Sequence, residues 1–255
     1  MRIAYDIIGN KEKAVALLGV NIKNPKKAAK EIMKRHKSVK SVLQKLGERK
    51  EIFRLYPCKL IAGKRNTEVI HKEHNYLIKI DPRKVYFSPR EGTERQRIVE
   101  EVKSGERILV MFSGAAPYAI AIGKEHPENE IVCIEINLKA VEYAEKNIRL
   151  NNLMNIENIA GDVMEIRNLG NFDRIIMPLV ERAIDYLDDA VLHSKKGTII
   201  HLYGLSHQRK NFKDLEERVK EVAETYNFKY KIIGRQDVLP YAPRIRKVRL
   251  DLKVL

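Results

Sequence analysis

Apolar and polar positions follow two periods through the last two thirds of the chain. Short apolar runs, typical of buried strands, alternate with segments whose apolar residues recur every three or four positions, as in helices. The predicted order is strand 107–112, helix 117–125, strand 130–135, helix 138–150, strands 156–159 and 173–177, helix 180–193, strand 197–203 and helix 211–226. Two strand-like runs, 229–235 and 247–254, then end the chain without a helix between them. This pattern predicts a doubly wound α/β domain that ends in an antiparallel pair of strands.

The first third of the chain has a less regular pattern. Asn24 followed by Pro25 is a typical helix start. The expected elements are one or two strands within 3–20 around the turn at Gly9-Asn10, the helix that starts at Asn24, a second helix over 38–47, and strands near 51–63, 66–70 and 75–80. Asp81-Pro82 marks a boundary, which predicts a smaller α+β domain over 1–85 and the larger domain over 86–255. After it we expect a short strand at 85–87 and a helix from Thr93 to about residue 103, opened by a capping box between Thr93 and Gln96.

Charge is distributed unequally between these two regions. Residues 1–90 carry 23 Lys and Arg against 8 Asp and Glu, whereas the remainder carries 26 of each. The formal net charge of +15 therefore lies in the first third. A solvated helical face could hold this charge, but its segregation beside a neutral domain favours a polyanionic partner, most simply nucleic acid.

Other bulk features point to the cytosol. No apolar run approaches the roughly 20 residues that span a bilayer, and the first residues lack the apolar core of a secretory signal. The two cysteines, Cys58 and Cys133, stand in apolar, strand-like contexts. We expect them to be buried free thiols in a reducing compartment, with neither a disulfide nor a metal site.

The apolar run 108–112 leads into a turn of small residues that begins at Gly114. The next predicted strand ends at Glu135, and Asp162 follows 27 positions later. A small-residue turn lets the backbone approach a nucleoside, and an acid at the tip of the next strand can accept both ribose hydroxyls. An Asp after the third strand can reach an adenine amine. Because the last two strands form an antiparallel pair, a seven-stranded sheet that binds S-adenosylmethionine fits better than a six-stranded dinucleotide-binding sheet.

Several short motifs carry a family resemblance. They are Ile52-Phe-Arg54, Leu60–Gly63 with Thr67 and His71-Lys-Glu73, Phe87-Ser-Pro-Arg90, Thr93-Glu-Arg95, the Gly114 loop, Glu135-Ile-Asn137 and Tyr241-Ala-Pro-Arg244. In this order the chain resembles the archaeal and eukaryotic tRNA (guanine-37-N1)-methyltransferases and the related wybutosine-synthesis enzymes. The resemblance covers nearly the whole chain. It implies a class I S-adenosylmethionine-dependent methyltransferase domain with a Rossmann-like fold, preceded by a smaller basic domain.

The resemblance also implies catalytic roles. The family's proposed general base is the Glu of the Thr-Glu-Arg motif, here Glu94, which would take the N1 proton of guanine. The Arg of the Phe-Arg pair, here Arg54, would stabilise negative charge on guanine O6. Without the family, Glu94 would be interpreted as a helix-capping acid and Arg54 as a surface residue.

The remaining site residues follow from the same motifs and from the charge distribution. Glu135 alone could be an ordinary strand end and Asp162 an ordinary turn. The expected cofactor-binding residues are Phe112, Gly114, Ala115, Pro117, Glu135, Ile136, Asp162, Val163 and Pro178. The expected RNA-binding residues are Lys26, Lys27, Lys30, Lys34, Arg90, Arg95, Tyr241 and Arg244.

Four positions depart from patterns common in such enzymes. Val110 stands where many carry an acid before the loop, and Ala116 stands in place of the second loop glycine. Pro178-Leu-Val180 stands where many members of the family carry Asn-Leu-Pro. Pro178 has no side-chain donor, so positioning of the target base, or the target itself, should differ.

The sequence therefore favours a monomeric, cytosolic enzyme that binds the anticodon stem-loop of tRNA and methylates N1 of guanine 37 from S-adenosylmethionine, without a membrane or a metal. A second hypothesis is a wybutosine-pathway activity, which methylates a tricyclic guanine derivative or transfers an aminocarboxypropyl group. A third is a catalytically silent RNA-binding protein on the same fold.

Overall fold

The computed structural model describes residues 4–47 and 55–255. Contacts within the chain divide it into two compact units. The first comprises Met1–Gly92 with Gly114–Pro117 and Asn137–Asn152, and the second comprises Thr93–Ser113, Tyr118–Ile136 and Leu153–Leu255. The division does not follow a single cut in the sequence, because two later segments pack with the first unit. The domain boundary after residue 85 stays a prediction.

The first unit contains a four-stranded sheet with one helix. Its elements are β1 (Tyr5–Gly9), β2 (Ala14–Leu18), α1 (Pro25–Arg35), β3 (Val39–Lys45) and β4 (Cys58–Gly63), and the strands follow the order β1-β2-β3-β4. The predicted start of α1 is confirmed, because the side chain of Asn24 accepts a hydrogen bond from the Lys27 amide at 3.1 Å and Pro25 is the first helical residue. Ala28, Ala29 and Ile32 of α1 pack into the core of this unit.

The helix predicted over 38–47 is wrong, because Val39–Lys45 is a strand. It pairs parallel with β2 on one side and antiparallel with β4 on the other. Both Val42 and Leu43 are fully buried, although neighbouring side chains point to opposite faces of a strand. A central strand with both faces covered therefore produces apolar residues at positions 39, 42 and 43, which is also the spacing of a helical stripe.

A hairpin in the same unit is secured by α4 (Leu138–Leu150). The hairpin strands are β5 (Val69–Glu73) and β6 (Tyr76–Ile80). The Asn147 side chain accepts from the Lys79 amide at 2.6 Å and donates to the Lys79 carbonyl at 3.1 Å. Asn151, just past the last residue of α4, makes the same pair of bonds to Leu77, at 2.9 and 2.7 Å. The two amides therefore satisfy the edge of β6 much as another strand would.

Replacing Asn151 by Ala should lower the free energy of unfolding by about 1–2 kcal/mol, because the main-chain groups of Leu77 lose their partner at a position where Asn151 is 4% exposed. Urea denaturation would measure the change. Arg149→Ala is the matched control on the same helix, since its ion pair with Glu145 is exposed and should contribute little. Equal stabilities of the two variants would contradict a structural role for the amide.

The second unit is built on a seven-stranded sheet. Its strands are β7 (Arg107–Met111), β8 (Glu130–Glu135), β9 (Ile156–Ala160), β10 (Phe172–Met177), β11 (Ser194–His207), β12 (Tyr230–Ala242) and β13 (Ile245–Val254). They follow the order β12-β13-β11-β10-β7-β8-β9. The strands from β7 to β11 pair in parallel, while β13 is antiparallel to both β11 and β12. The predicted doubly wound sheet with a terminal antiparallel pair is confirmed.

Four more helices accompany this part of the chain: α2 (Gly92–Glu101), α3 (Pro117–Glu125), α5 (Leu187–Leu192) and α6 (Lys213–Thr225). The helix predicted over 180–193 is shorter than expected, because a 3₁₀ turn over Ala183–Tyr186 precedes α5. Neither cysteine forms a disulfide within the described residues; Cys133 is buried, as predicted, whereas Cys58 is only partly buried, so that part of the prediction is wrong. None of the helices in the described residues is long and apolar enough to cross a bilayer.

The two local predictions just after the proposed boundary are wrong. Residues 85–87 do not form a strand, because the Asp81 carbonyl accepts from the amides of Lys84 and Val85 and folds the chain into a turn. Thr93 is not a helix cap, because a 3₁₀ turn over Pro89–Glu91 leads directly into α2 and Thr93 lies inside that helix. The Gln96 side chain donates along the helix to Glu100 instead.

Candidate functional site

The carboxyl ends of β7, β8 and β9 lie side by side at one edge of the seven-stranded sheet. The Ser113 amide, just after β7, donates to the Ile134 carbonyl at 3.0 Å. The Gly161 amide, just after β9, donates to the Glu135 carbonyl at 3.0 Å. These bonds align the end of β8 with the segments that directly follow β7 and β9. Ligands of open α/β sheets bind at this edge.

The chain that leaves β7 has an unusual backbone. Phe112, Gly114 and Ala116 all have positive φ, at 54°, 59° and 60°. Ala116 therefore adopts a conformation that favours glycine. Although Ala116 replaces the second glycine of the usual loop, the backbone of the turn keeps the conformation that this glycine would adopt. A Cβ built on Gly114 would meet no atom within 4 Å. The Ala115 carbonyl accepts from Asn147 at 3.2 Å, and Pro117 is the first residue of α3.

The residues at this edge suit a nucleoside cofactor. Glu135 is the last residue of β8, 9% exposed, and the apolar Ile136 that follows it is 38% exposed. The Ser113 hydroxyl is buried and has no hydrogen-bond partner among the described residues. A carboxylate, an apolar surface and an unpaired hydroxyl at adjoining strand ends match the ribose, the base and a polar tail of such a molecule.

The other expected cofactor residues fall into two groups. Asp162 lies in the turn after β9, where its side chain accepts from the Met164 amide at 3.0 Å. Pro178 directly follows β10 and is half-buried. By contrast, Val163 is 3% exposed and packs in the main core, and Phe112 makes an edge contact with Tyr186 at 4.9 Å between ring centroids. Val163 and Phe112 are placed to support the edge of the sheet.

Glu94 lies on α2 with its side chain only 1% exposed. Its Oε1 accepts hydrogen bonds from the Tyr203 hydroxyl and from Arg249 Nη1, both at 2.8 Å. Its Oε2 accepts from Arg97 Nη1 at 3.0 Å. Tyr203 belongs to β11 and Arg249 to β13, so two strands of the sheet fix this carboxylate. Burial, and then the neighbouring Tyr118 and Glu94, raise the pKa of Tyr203 well above its usual range, which keeps its hydroxyl a donor.

A buried chain of charges continues from Glu94. Arg249 also pairs with Glu101 and with Asp251, and Asp251 accepts from His201 at 2.6 Å. Arg174 donates to the other ring nitrogen of His201 at 2.6 Å. Since an arginine can only donate, Nε2 of His201 is the acceptor and its proton lies on Nδ1. Burial lowers the pKa of His201, which agrees with a neutral ring.

The same cluster has the spacing of a cation site. Ligand atoms of Glu101, His201 and Asp251 lie within 4.8 Å of one another. However, Arg249 pairs with both carboxylates and Arg174 occupies Nε2 of the imidazole. Two guanidinium groups already supply the positive charge there, so the arrangement is that of an ion-pair network.

The expected RNA-binding residues differ in their exposure to solvent and in the partners that they already have. Lys26, Lys27, Lys30 and Lys34 of α1 are all exposed, as an electrostatic surface requires. Arg90 is exposed and pairs with Asp6 at 2.6 Å. Tyr241 donates to Glu181, and Arg244 lies in the exposed turn between β12 and β13 with φ at 62°. Arg95 is 2% exposed, so its guanidinium is not available to a phosphate in this conformation.

Arg54 lies outside the described residues, so its predicted role stays a prediction. Sequence reasoning missed Tyr203, Arg249 and Arg97, which hold the Glu94 carboxylate. One feature of the sequence points to the strand that carries the buried charged residues. Charged and apolar residues alternate from Lys247 to Lys253, which predicts a strand with one polar face. The pattern does not reveal that α2 covers that face.

A protein-family model described as the TRM5/TYW2 methyltransferase domain matches residues 69–233. The chain is 35% identical to the tRNA (guanine(37)-N(1))-methyltransferase Trm5b of Pyrococcus abyssi, over 98% of this chain and 74% of the relative. It is 31% identical to the tRNA (guanine(37)-N(1))/4-demethylwyosine(37)-methyltransferase Taw22 of Nanoarchaeum equitans, over 95% and 98%. The solved complex of aTrm5 and tRNALeu matches with a TM-score of 0.86 at 31% identity, over all of this chain and 73% of that one. The motifs, the sheet and these similarities agree, and the chain belongs to the TRM5/TYW2 methyltransferase family.

Proposed function

We propose that this protein methylates N1 of guanine 37 in tRNA, with S-adenosylmethionine as the methyl donor. The observation that carries the proposal is the similarity of 98% of the chain to an enzyme named for this activity. The expectations that it works in the cytosol and as a monomer accompany the proposal.

The cofactor would lie at the carboxyl edge of the seven-stranded sheet. Glu135 would accept hydrogen bonds from the ribose hydroxyls, Ile136 would cover a face of the adenine, and Asp162 would accept from the adenine amine. The loop over 114–117 would approach the methionine part. Bound there, S-adenosylmethionine supplies an electrophilic methyl group on a sulfonium.

Glu94 would act as the general base. N1 of guanine carries a proton that must leave as the methyl group arrives, and a carboxylate within hydrogen-bond reach can accept it. The resemblance assigns Arg54 to guanine O6, where a guanidinium would stabilise growing negative charge. Since guanine 37 lies in a single-stranded loop, it can be splayed out into a pocket at low cost.

The exposed lysines of α1 support tRNA binding by the first unit. Phosphate contacts release counterions, so affinity should fall steeply with salt. Replacing Lys26, Lys27, Lys30 and Lys34 together by Glu should weaken tRNA binding at least about tenfold and make its salt dependence shallower. Filter binding across a salt series would measure both. Arg at the same four positions keeps the charge and should keep the affinity. Equal affinities of the Glu and wild-type proteins would refute docking through this helix.

The direct test of the activity uses labelled S-adenosylmethionine and tRNA transcripts carrying guanine or adenine at position 37. Nucleoside mass spectrometry should find one-methylguanosine only in the guanine transcripts. No methylated product from any transcript, in a protein that binds the cofactor, would refute the proposal.

The second candidate is an activity on a tricyclic guanine derivative. Two observations favour it: the name of the Nanoarchaeum equitans relative includes 4-demethylwyosine, and Pro178 offers no side-chain donor to an unmodified guanine. The same assay with tRNA carrying the tricyclic base separates a methyl from an aminocarboxypropyl product by mass. Absence of measurable cofactor affinity would favour the silent RNA-binding protein instead.

A further inference from the structure

Parts of β11, β12 and β13 form an arm, residues 203–213 and 239–246, that extends past the carboxyl edge of the seven-stranded sheet. The last residue of β10, Met177, pairs with Leu202 of β11, and β11 continues for five more residues to His207. At roughly 3.3 Å per residue, the arm reaches about 17 Å beyond the end of β10. It therefore stands beside the edge of the sheet where we place the cofactor.

Four exposed cations lie at the tip of the arm, which comprises residues 208–213 and 243–244. They are Arg209, Lys210, Lys213 and Arg244. The Gln208 amide donates to the Arg244 carbonyl at 2.8 Å, so the two connections that form the tip lie against each other. Within residues 4–47 and 55–255, none of the four side chains pairs with a carboxylate. Since residues 91–255 carry 26 Lys and Arg and 26 Asp and Glu, the tip concentrates positive charge in a neutral region.

Other exposed cations on α6 and β12 each have an acidic partner. The pairs are Arg218 with Asp185, Lys220 with Glu224, and Arg235 with Glu216. A cation that already has a partner must give up that ion pair before it can contact another anion. The cations of the tip can contact an anion directly, and a group of four suits a ligand with several negative charges.

Hydrogen bonds at the base of the tip hold it in one shape. Asp214, at the start of α6, accepts from the Ser206 hydroxyl at 2.7 Å and from the His207 amide at 3.0 Å. The Ser206 hydroxyl in turn accepts from the Phe212 amide at 3.1 Å. Phe212 and Arg244 have positive φ, at 74° and 62°, which is uncommon for residues other than glycine. Such strained backbone is concentrated at functional sites. Because the tip is already ordered, little backbone freedom is lost when it binds a ligand.

We propose that the tip of the arm binds phosphates of the single-stranded RNA that flanks the target nucleotide. In the sheet, β10 alone separates β11 from β7, so the arm lies roughly 10 Å along the sheet from the strand that leads into the cofactor edge. An RNA strand that delivers a base to this edge passes close to the arm. Guanidinium and ammonium groups there would contact phosphate oxygens and fix the path of the strand. The proposal rests on the proposed function, since it takes tRNA as the substrate.

The test replaces Arg209, Lys210 and Lys213 together by Gln. Affinity for a hairpin RNA that contains the anticodon stem and loop should fall roughly tenfold. The slope of log affinity against log salt should become shallower by up to about 2, because each phosphate contact to a single strand contributes about 0.7. Filter binding across a salt series would measure both. Cofactor affinity and melting temperature should stay at the wild-type values, since none of the three side chains has a partner within the described residues.

Two further triple variants serve as controls. The first, Arg218→Gln with Lys220→Gln and Arg235→Gln, removes the same charge from paired positions and should leave RNA affinity within about twofold of wild type. The second, Arg209→Lys with Lys210→Arg and Lys213→Arg, keeps the charge of the tip and should keep the affinity.

Three results would overturn the proposal: unchanged affinity in the Gln variant of the tip, an equal loss in the variant of the paired cations, or an equal loss on fully paired RNA, which has no splayed nucleotide to pass the arm. Binding is measured without turnover. Wild-type protein that binds the hairpin and makes no one-methylguanosine would therefore refute the proposed function, while the affinities would still decide the role of the arm. Wild-type protein that binds no RNA would refute both.

Discussion

Replacing Glu94 by Gln should lower the turnover constant by about 10²–10⁴, the usual contribution of a general base. Gln keeps the shape of the side chain and can still accept from Tyr203, but it cannot take up the N1 proton. Affinity for tRNA and cofactor should change little. Single-turnover methyl transfer would measure the rate, and binding titrations would measure the two affinities.

The network offers a matched control for this change. Glu101 lies on the same helix as Glu94 and also pairs with Arg249. Glu101→Gln therefore removes an ion pair from the same arginine without removing the proposed base. It should lower the melting temperature somewhat and leave the rate within a few-fold of wild type. If Glu94→Gln were as fast as Glu101→Gln, Glu94 would be part of the ion-pair network and nothing more.

The edge of the sheet could be predicted from sequence because its signals are local. A small-residue turn after one apolar run and an acid at the end of the next occupy adjoining strand ends wherever consecutive parallel strands are neighbours, as most are. The bonds from Ser113 to Ile134 and from Gly161 to Glu135 bear out this placement. The antiparallel pair at the chain end was predictable for a similar reason, since no helix separates its two runs.

Features that depend on which strand faces are buried by distant parts of the chain could not be predicted from the sequence. The residues of β3 have a helical spacing of apolar positions because both faces of that strand are covered. Lys247, Arg249 and Asp251 look like the solvated face of a strand, yet all three are at most 7% exposed. Arg249 pairs with Glu94 and Asp251 accepts a hydrogen bond from His201, and both partners lie far away in the sequence. A single sequence carries no local signal of such pairing.

The structure changes which role for Glu94 competes with catalysis. From sequence alone, the alternative to a catalytic role was that Glu94 is an acid in the first turn of a helix. Gln could fill that role equally well. The structure places the carboxylate in the interior, between Tyr203, Arg249 and Arg97. The alternative to catalysis is now a buried ion-pair role, which predicts loss of stability when the charge is removed. Rate and stability together therefore separate the two interpretations.

Replacing Glu135 by Ala should weaken binding of S-adenosylmethionine by roughly 1.5–3 kcal/mol, the scale of losing hydrogen bonds to a charged group. The carboxylate stands at the end of β8, where the ribose hydroxyls would meet it, and no neighbouring acid on that strand can replace it. The loss corresponds to about 10- to 150-fold in the dissociation constant. Titration calorimetry on the purified variant would measure it.

Glu130→Ala is the control for this change, because Glu130 opens the same strand at the opposite edge of the sheet and pairs there with Arg107. It should leave cofactor affinity unchanged. Thermal melts of both variants would show whether Glu135→Ala remains folded. A folded Glu135→Ala protein that binds S-adenosylmethionine as tightly as Glu130→Ala would remove Glu135 from the ribose site.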